Sequence, residues 1–492
     1  MLFNSLQYLL FLPLVVLAYW LVPGKLRTVL LLVASYYFYM SWMKSYGVLL
    51  FGLTAINYLA GLAIYKLSAE KSKRLALIAA ITFNVGILAL FKYTNFFLDT
   101  YNSLERSLSS FLPLNLVPAP SALPIILPLG ISFFVFEFIH YLVDVRAGNK
   151  PIVNPIRFGL FAAFFPSQIA GPIKRFEDFD SQLEKPRVFD RMQFGEGIGL
   201  IVRGMFKKVC LGDNLAPLAA SGFANPAMLG TVDAWVAVLA FTLQIYFDFS
   251  GYTDIGRGSA LLLGYKLPEN FNMPYIARSI QDFWHRWHMS LSTWLRDYLY
   301  IPLGGSRGGK FATMKNLFIT MLLGGLWHGA SWHFVVWGGF HGVCLAIHRV
   351  WERVVDGRPA LARFGESFAG KATCWTVTFL TVISGWVLFR ANNLGEAMQM
   401  FQSMVTIKAS LGENLLQSFL YGGPLPAVLA MYAVFVLGSK LQLKSKLKSK
   451  LSSANLMPSP PIMARAVALA AVALFIAGLA PRHAVPFIYF QF

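Results

Sequence analysis

The sequence predicts an all-α integral membrane protein, with about eleven to twelve transmembrane helices and further re-entrant and interfacial segments. Three observations predict it. Hydrophobic types make up 56% of the 492 residues and charged types 13%, with a mean hydropathy of +0.56; a soluble domain carries about 25% charged residues. Apolar runs of spanning length recur along the whole chain. Basic residues alternate between the short loops that join them. A disulfide scaffold is excluded, because Cys210, Cys344 and Cys374 lie far apart in apolar stretches.

The first run, 6–22, has no basic residue before it, and Pro23, Gly24 and Lys25 follow instead of a small-residue cleavage site. It reads as a retained helix and not as a removed signal peptide. Further runs fall at 28–43, 47–65, 75–95, 125–143, 193–210, 232–250, 314–327, 331–350, 372–390, 418–438 and 463–480. Pro and Gly in 153–175 and 302–309 argue for irregular backbone, which survives at membrane depth only inside protein or beside a water-filled cavity. Neither repeats nor a soluble domain are visible, so 1–492 reads as one membrane domain, with a separate aromatic tail at 481–492.

Lys+Arg exceed Asp+Glu by 42 to 23, giving a net charge of +19. In a soluble protein that excess would suggest nucleic acid; here it fits cationic loops held on the cytoplasmic side, and no nucleic-acid partner is expected. The loop at 24–27 carries Lys25 and Arg27, and the loop at 66–74 carries Lys66, Lys71, Lys73 and Arg74 against Glu70. The intervening turn has only Lys44, and the one after them, 92–122, is balanced. The N-terminus is therefore expected outside. Lys440, Lys444, Lys446, Lys448 and Lys450 place another loop inside, so the last helix runs outward and the tail Phe487-Ile488-Tyr489-Phe490-Gln491-Phe492 reaches the outer face. Taken alone, such a tail reads as an interfacial aromatic anchor.

Ionisable side chains within membrane segments are costly and mark functional sites. They are densest in 244–348. Asp248 and Asp254 end an apolar run and do not share a helix face; pairing with nearby Arg257, or capping a helix, explains them better than acid–base chemistry. Pro268–Tyr275 reads as a loop. In 280–298, Trp284, Trp287, Leu291, Trp294 and Leu295 recur at helical spacing, which predicts one amphipathic helix with Arg286 and Asp297 on its polar face and His288 on the apolar side. His328 lies in Gly324-Gly325-Leu326-Trp327-His328-Gly329, with no other ionisable group between Lys315 and His333. The flanking glycines let a substrate or another backbone approach closely. An imidazole can accept a proton at neutral pH, although a packed core histidine would have the same surroundings. His341 and His348 share a face and read as packing; His140 and His483 are isolated. His285/His288 and His328/His333 give too few converging ligands for an iron site, so no metal is expected. Gly304–Lys310 is glycine-rich and basic but lacks the strand that precedes a nucleotide loop.

The segment Gln281-Asp282-Phe283-Trp284-His285-Arg286-Trp287-His288-Met289-Ser290-Leu291-Ser292-Thr293-Trp294-Leu295-Arg296-Asp297-Tyr298, with Trp327-His328-Gly329 forty residues after His288, resembles the membrane-bound O-acyltransferase family, and within it the membrane subunits of bacterial alginate O-acetylation. The likeness extends to Pro166 with Ala170-Gly171-Pro172, to 244–254 and to Pro268–Tyr275. His285 stands where relatives commonly carry Arg, and Gln168 occupies a variable place.

The resemblance implies an all-helical funnel, His328 as the essential histidine and His288 as the second functional one. It implies acetyl-CoA as the acyl donor, with Trp284, Arg286, Trp287 and Arg296 as residues that would bind it. The acetyl group would leave on the outer side of a bacterial inner membrane toward an exported polysaccharide, by way of a periplasmic esterase-like transferase. Phe487–Phe490 resembles the C-terminal motif of acyl-export systems in which a tyrosine carries the acyl group, which makes Tyr489 a third catalytic candidate. An export transporter without covalent chemistry would spread its ionisable residues along a pathway; their concentration in one stretch favours a site.

Overall fold

Long apolar stretches bounded by prolines, glycines and short polar caps leave little but helix for this chain to adopt. The computed structural model describes residues 1–111, 120, 122–169, 171–410, 414–423, 425–440, 475–480 and 487, and every regular element among them is helical. In order these are α1 (Leu6–Leu21), α2 (Gly24–Met40), α3 (Lys44–Lys66), α4 (Glu70–Lys92), α5 (Thr94–Phe111), α6 (Ile131–Arg146), α7 (Pro155–Ala163), α8 (Phe165–Gln168), α9 (Phe176–Glu184) and α10 (Arg191–Met205). They continue as α11 (Asp213–Ala224), α12 (Thr231–Leu262), α13 (Ile280–Arg286), α14 (Met289–Leu295), α15 (Gly309–His328), α16 (Trp332–Asp356) and α17 (Pro359–Glu366). The last four are α18 (Phe368–Arg390), α19 (Leu394–Val405), α20 (Leu415–Tyr421) and α21 (Leu425–Lys440).

Local chemistry sets many of the boundaries. The Ser5 hydroxyl accepts the Tyr8 N–H at 3.2 Å to start α1. Asn154 caps α7, with Pro155 just inside it. Among the described residues, α3, α4, α12 and α18 are long and apolar enough to cross a membrane, and α1 is a shorter apolar helix. On α1, Leu6, Leu14 and Leu21 stand 66–74% exposed, a surface suited to lipid and not to water.

The chain divides into two compact units. The first holds Met1–Ile198 and Gly256–Phe389. Helix α6 is largely buried there, including Phe134, Val135, Phe138, His140 and Tyr141. Asn57 and Asn84 exchange side-chain amide bonds of 2.7 and 3.0 Å, tying α3 to α4 inside an apolar layer. Helices α15 and α16 approach backbone to backbone: a Cβ on Gly325 would lie 2.9 Å from the Cα of Gly338.

The second unit contains Gly199–Ile255 and the described residues from Arg390 onward. A π-helical stretch, Phe206–Gly212, carries Lys207 and Lys208 inward. Lys208 reaches Asp213 at 2.5 Å and Asp248 at 2.7 Å; Asp254 takes Lys207 and Arg203, each at 2.9 Å. Asp248 and Asp254 are thus ion-paired, as a membrane interior requires. The cations named here come from a preceding element, while Arg257 holds Glu269 at 2.9 Å.

Candidate active site

The expected single helix over 280–298 is two short ones, α13 and α14. The break falls at His288, whose φ of 42° and ψ of 54° put it in the left-handed region. Periodicity could not reveal this, because both halves keep helical spacing and one residue redirects the chain. The loop 268–275 holds the turn. The Asn270 carbonyl accepts the Met289 N–H at 2.9 Å, and its side-chain oxygen accepts both the N–H (3.2 Å) and the hydroxyl (2.6 Å) of Ser290. The Ser290 hydroxyl in turn accepts the Ile173 N–H at 3.0 Å. His288 is thereby driven into the interior, fully buried, with its ring 6.2 Å from Trp327 and 6.5 Å from Phe133.

His328 is the last residue of α15, and Gly329 leaves the helix in extended backbone. Its ring is edge-on to Trp327 (4.9 Å), Trp337 (5.0 Å) and Phe389 (5.3 Å). The glycines around it serve packing: the place of a Gly329 side chain is filled by the Phe334 ring, and Gly325 meets Gly338. From α4, the Lys92 ammonium donates to the carbonyls of Trp327 and His328, and the Tyr93 hydroxyl donates to the Leu326 carbonyl at 2.7 Å. His328, Trp327 and Lys92 line a cavity of about 120 Å³ together with Trp42, Gly130–Phe133 and Ile169. His328 as a residue is 6% exposed and forms part of this cavity's wall.

A second cavity, of about 340 Å³, is lined by Trp284, His285, Arg296, Tyr300 and Arg349. Helix α6 relates the two. Its first residues, Ile131–Phe133, line the His328 cavity. Near its far end the Asp144 carboxylate accepts the Tyr298 hydroxyl at 2.7 Å, and Arg296 and Tyr300 beside Tyr298 line the larger cavity. The larger cavity therefore extends, through Arg296 and Tyr300, toward the end of α6 away from Ile131–Phe133. Between the two cavities runs a relay of rings, Trp284 to Trp337 at 5.8 Å and Trp337 to His328 at 5.0 Å. Asp297 pairs with Arg296 of that wall at 2.7 Å; partial burial opposes its charge, but Arg296 and Arg175 hold its carboxyl below the usual carboxylate range.

Of the expected donor-binding residues, Trp284 and Arg296 line the larger cavity. Arg286 bonds Asp282 at 2.7 Å and the Asn272 carbonyl at 3.3 Å. Trp287 is packed 4.8 Å from Trp386 and 5.0 Å from Phe271. Tyr489 lies outside the described residues. Within the second unit Phe487, from the same tail, is buried and stacks on Tyr252 at 4.4 Å. Lys92, Asn270, Trp337 and Arg349 escaped the sequence reading. Lys92 counted only as loop charge, and the others carried no spacing signal toward His328.

A model of the membrane-bound O-acyltransferase family matches residues 88–383. The chain belongs to the membrane-bound O-acyltransferase family. It is 44% identical over 409 residues to the probable alginate O-acetylase of Azotobacter vinelandii, covering 82% of this chain and 78% of that one. The corresponding Pseudomonas aeruginosa protein is 44% identical over 410 residues, covering 82% and 75%. The peptidoglycan O-acetyltransferase of Helicobacter pylori is 37% identical over 438 residues, covering 82% and 80%. This family member is a membrane-embedded acyltransferase, and the matched region contains both His288 and His328.

Proposed function

We propose that this acyltransferase takes acetyl from acetyl-CoA at the cytoplasmic face of the bacterial inner membrane and delivers it outward for O-acetylation of an exported, alginate-like polysaccharide. The observation that carries the reading is the convergence of His288 and His328 on Trp327, at 6.2 and 4.9 Å, with one cavity at His328 and another one indole layer away. The larger cavity suits the donor, because Arg296 and Arg349 on its wall can meet phosphate charge and Trp284 can pack on an apolar arm. The relatives' names favour a glycan pathway, with alginate ahead of peptidoglycan by identity.

The chemistry is acyl transfer from a thioester to a hydroxyl. The His328 imidazole removes the hydroxyl proton as the oxygen attacks the thioester carbonyl carbon. The C–S bond breaks, and the departing sulfur takes that proton to leave as the free thiol. His288 orients the thioester or assists the proton transfer. The first acceptor is Tyr489, whose phenol has an ordinary pKa of about 10 and needs a base at neutral pH. A periplasmic esterase-like partner then carries the acetyl group to the polymer. Excluding bulk water limits loss of the thioester to hydrolysis.

The test uses purified protein and acetyl-CoA labelled in the acetyl group. Wild type should become labelled, with the label on Tyr489. His328→Ala should lose at least about a thousandfold in rate, and Tyr489→Phe should accept no label. Wild-type rates in His328→Ala would remove the base assignment, and normal labelling of Tyr489→Phe would remove the tyrosine relay.

A further inference from the structure

The C-terminal end of a helix leaves carbonyls without intrahelical partners, and in α15 these belong to the residues around the histidine assigned as the base. Helix α4 supplies their donors. Lys92, its last residue, is half-buried; its ammonium bonds the Trp327 and His328 carbonyls (the latter at 3.2 Å) and lies 5.9 Å from the Trp327 ring centroid. Tyr93, the next residue, donates to the Leu326 carbonyl at 2.7 Å. Three consecutive carbonyls are thus gripped by two consecutive side chains from an element more than 230 residues away in sequence. A cation at this position also complements the negative end of the α15 dipole.

We infer that Lys92, assisted by Tyr93, is a positioning residue for acyl transfer, latching the end of α15 so that the His328 imidazole faces the cavity in one orientation. Without the latch, Gly329 gives the chain freedom immediately after His328, and the helix end frays. The Trp327 ring moves with it, and through that ring His288 loses its neighbour. Lys92 touches no reacting atom in this role; it acts on the backbone that carries one that does.

The inference rests on the role proposed for His328, so its test includes a readout that needs no catalysis. Hydrogen–deuterium exchange on the full-length protein in detergent reads amides in 326–331 directly. Lys92→Met should speed exchange there at least about fivefold and leave α1 and α18 unchanged. Its kcat should fall about ten- to hundredfold with the KM for acetyl-CoA held within about twofold. Lys92→Arg, which keeps charge and donors, should restore kcat to within about threefold. Tyr93→Phe, which deletes one donor and no charge, should show the same pattern in milder form and serves if Lys92→Met does not fold. Unchanged exchange at 326–331 in both Lys92→Met and Tyr93→Phe would overturn the latch, whatever the activity. Faster exchange with unchanged kcat would overturn the positioning role. A wild type that transfers no acetyl would count against the proposed function alone, because the exchange result still decides the latch.

Discussion

His288 shows how one residue can carry both strain and chemistry. A non-glycine residue in the left-handed region costs about 1–2 kcal/mol, and the hydrogen bonds from Met289 and Ser290 to Asn270 offset that cost. Asn tolerates the same backbone conformation with a much smaller side chain. His288→Asn should therefore keep the turn and melt within about 3 °C of wild type, while the acetyl-transfer rate falls at least about tenfold. Scanning fluorimetry and the labelling assay separate the two effects. A variant that melts far lower would mean that the ring is needed for packing; one that transfers normally would remove His288 from the mechanism. Asn270→Ala should do the opposite, lowering stability first by about 1–3 kcal/mol, because it removes the acceptor that fixes Ser290.

At the scale of elements, helices α15 and α16 hold the site only because glycine lets them touch. A Cβ on Gly338 would lie 3.0 Å from the Cα of Gly325, and one on Gly342 would lie 2.9 Å from the Cα of Phe318. Gly339, one position along, faces Leu322 and Phe318 at an ordinary 3.6–3.7 Å. Gly338→Leu should push the helices apart and abolish a monodisperse peak in size-exclusion chromatography, whereas Gly339→Ala should fold with a change within about 1 kcal/mol. Equal tolerance at both positions would contradict this packing. The same pair of helices marks what the sequence could and could not reveal. Apolar runs at 314–327 and 331–350 correspond to α15 and α16, and His328 stood out because it is the one ionisable residue between Lys315 and His333 in the sequence. The loop Pro268–Tyr275 was visible from its prolines and asparagines. The bend at His288 was not, since a left-handed residue leaves hydrophobic spacing intact. Lys92 was read as a loop charge because its partners are backbone carbonyls, which have no sequence signature, and they lie 235 and 236 residues away.

For the molecule as a whole, the sidedness of the first unit follows from two helices that run in opposite directions between the same two places. Helix α4 has 23 residues, a rise of about 34 Å, enough to cross a bilayer core of about 30 Å. Its Lys92 end is fixed to His328, and its Glu70 end pairs with Arg146 at the end of α6. Helix α6 starts at the His328 cavity, so both helices place that cavity at one face and the Glu70–Arg146 pair at the other. Basic residues crowd the second face: Lys66, Lys71, Lys73 and Arg74 beside Glu70, and Arg307, Lys310 and Lys315 at the start of α15, the end opposite His328. Under the proposed function, the positive-inside rule assigns Arg296 and its cavity to the cytoplasmic side, where a coenzyme A thioester would be met, and His328 to the outer side. With the native cysteines changed to serine, Lys44→Cys should react with a membrane-impermeant maleimide in intact spheroplasts, while Lys71→Cys and Lys310→Cys should react only after permeabilisation. Labelling of Lys310→Cys in sealed spheroplasts would reverse the direction of transfer argued here, and labelling of Lys71→Cys but not Lys310→Cys would break the link between α4 and α15 on which that direction depends.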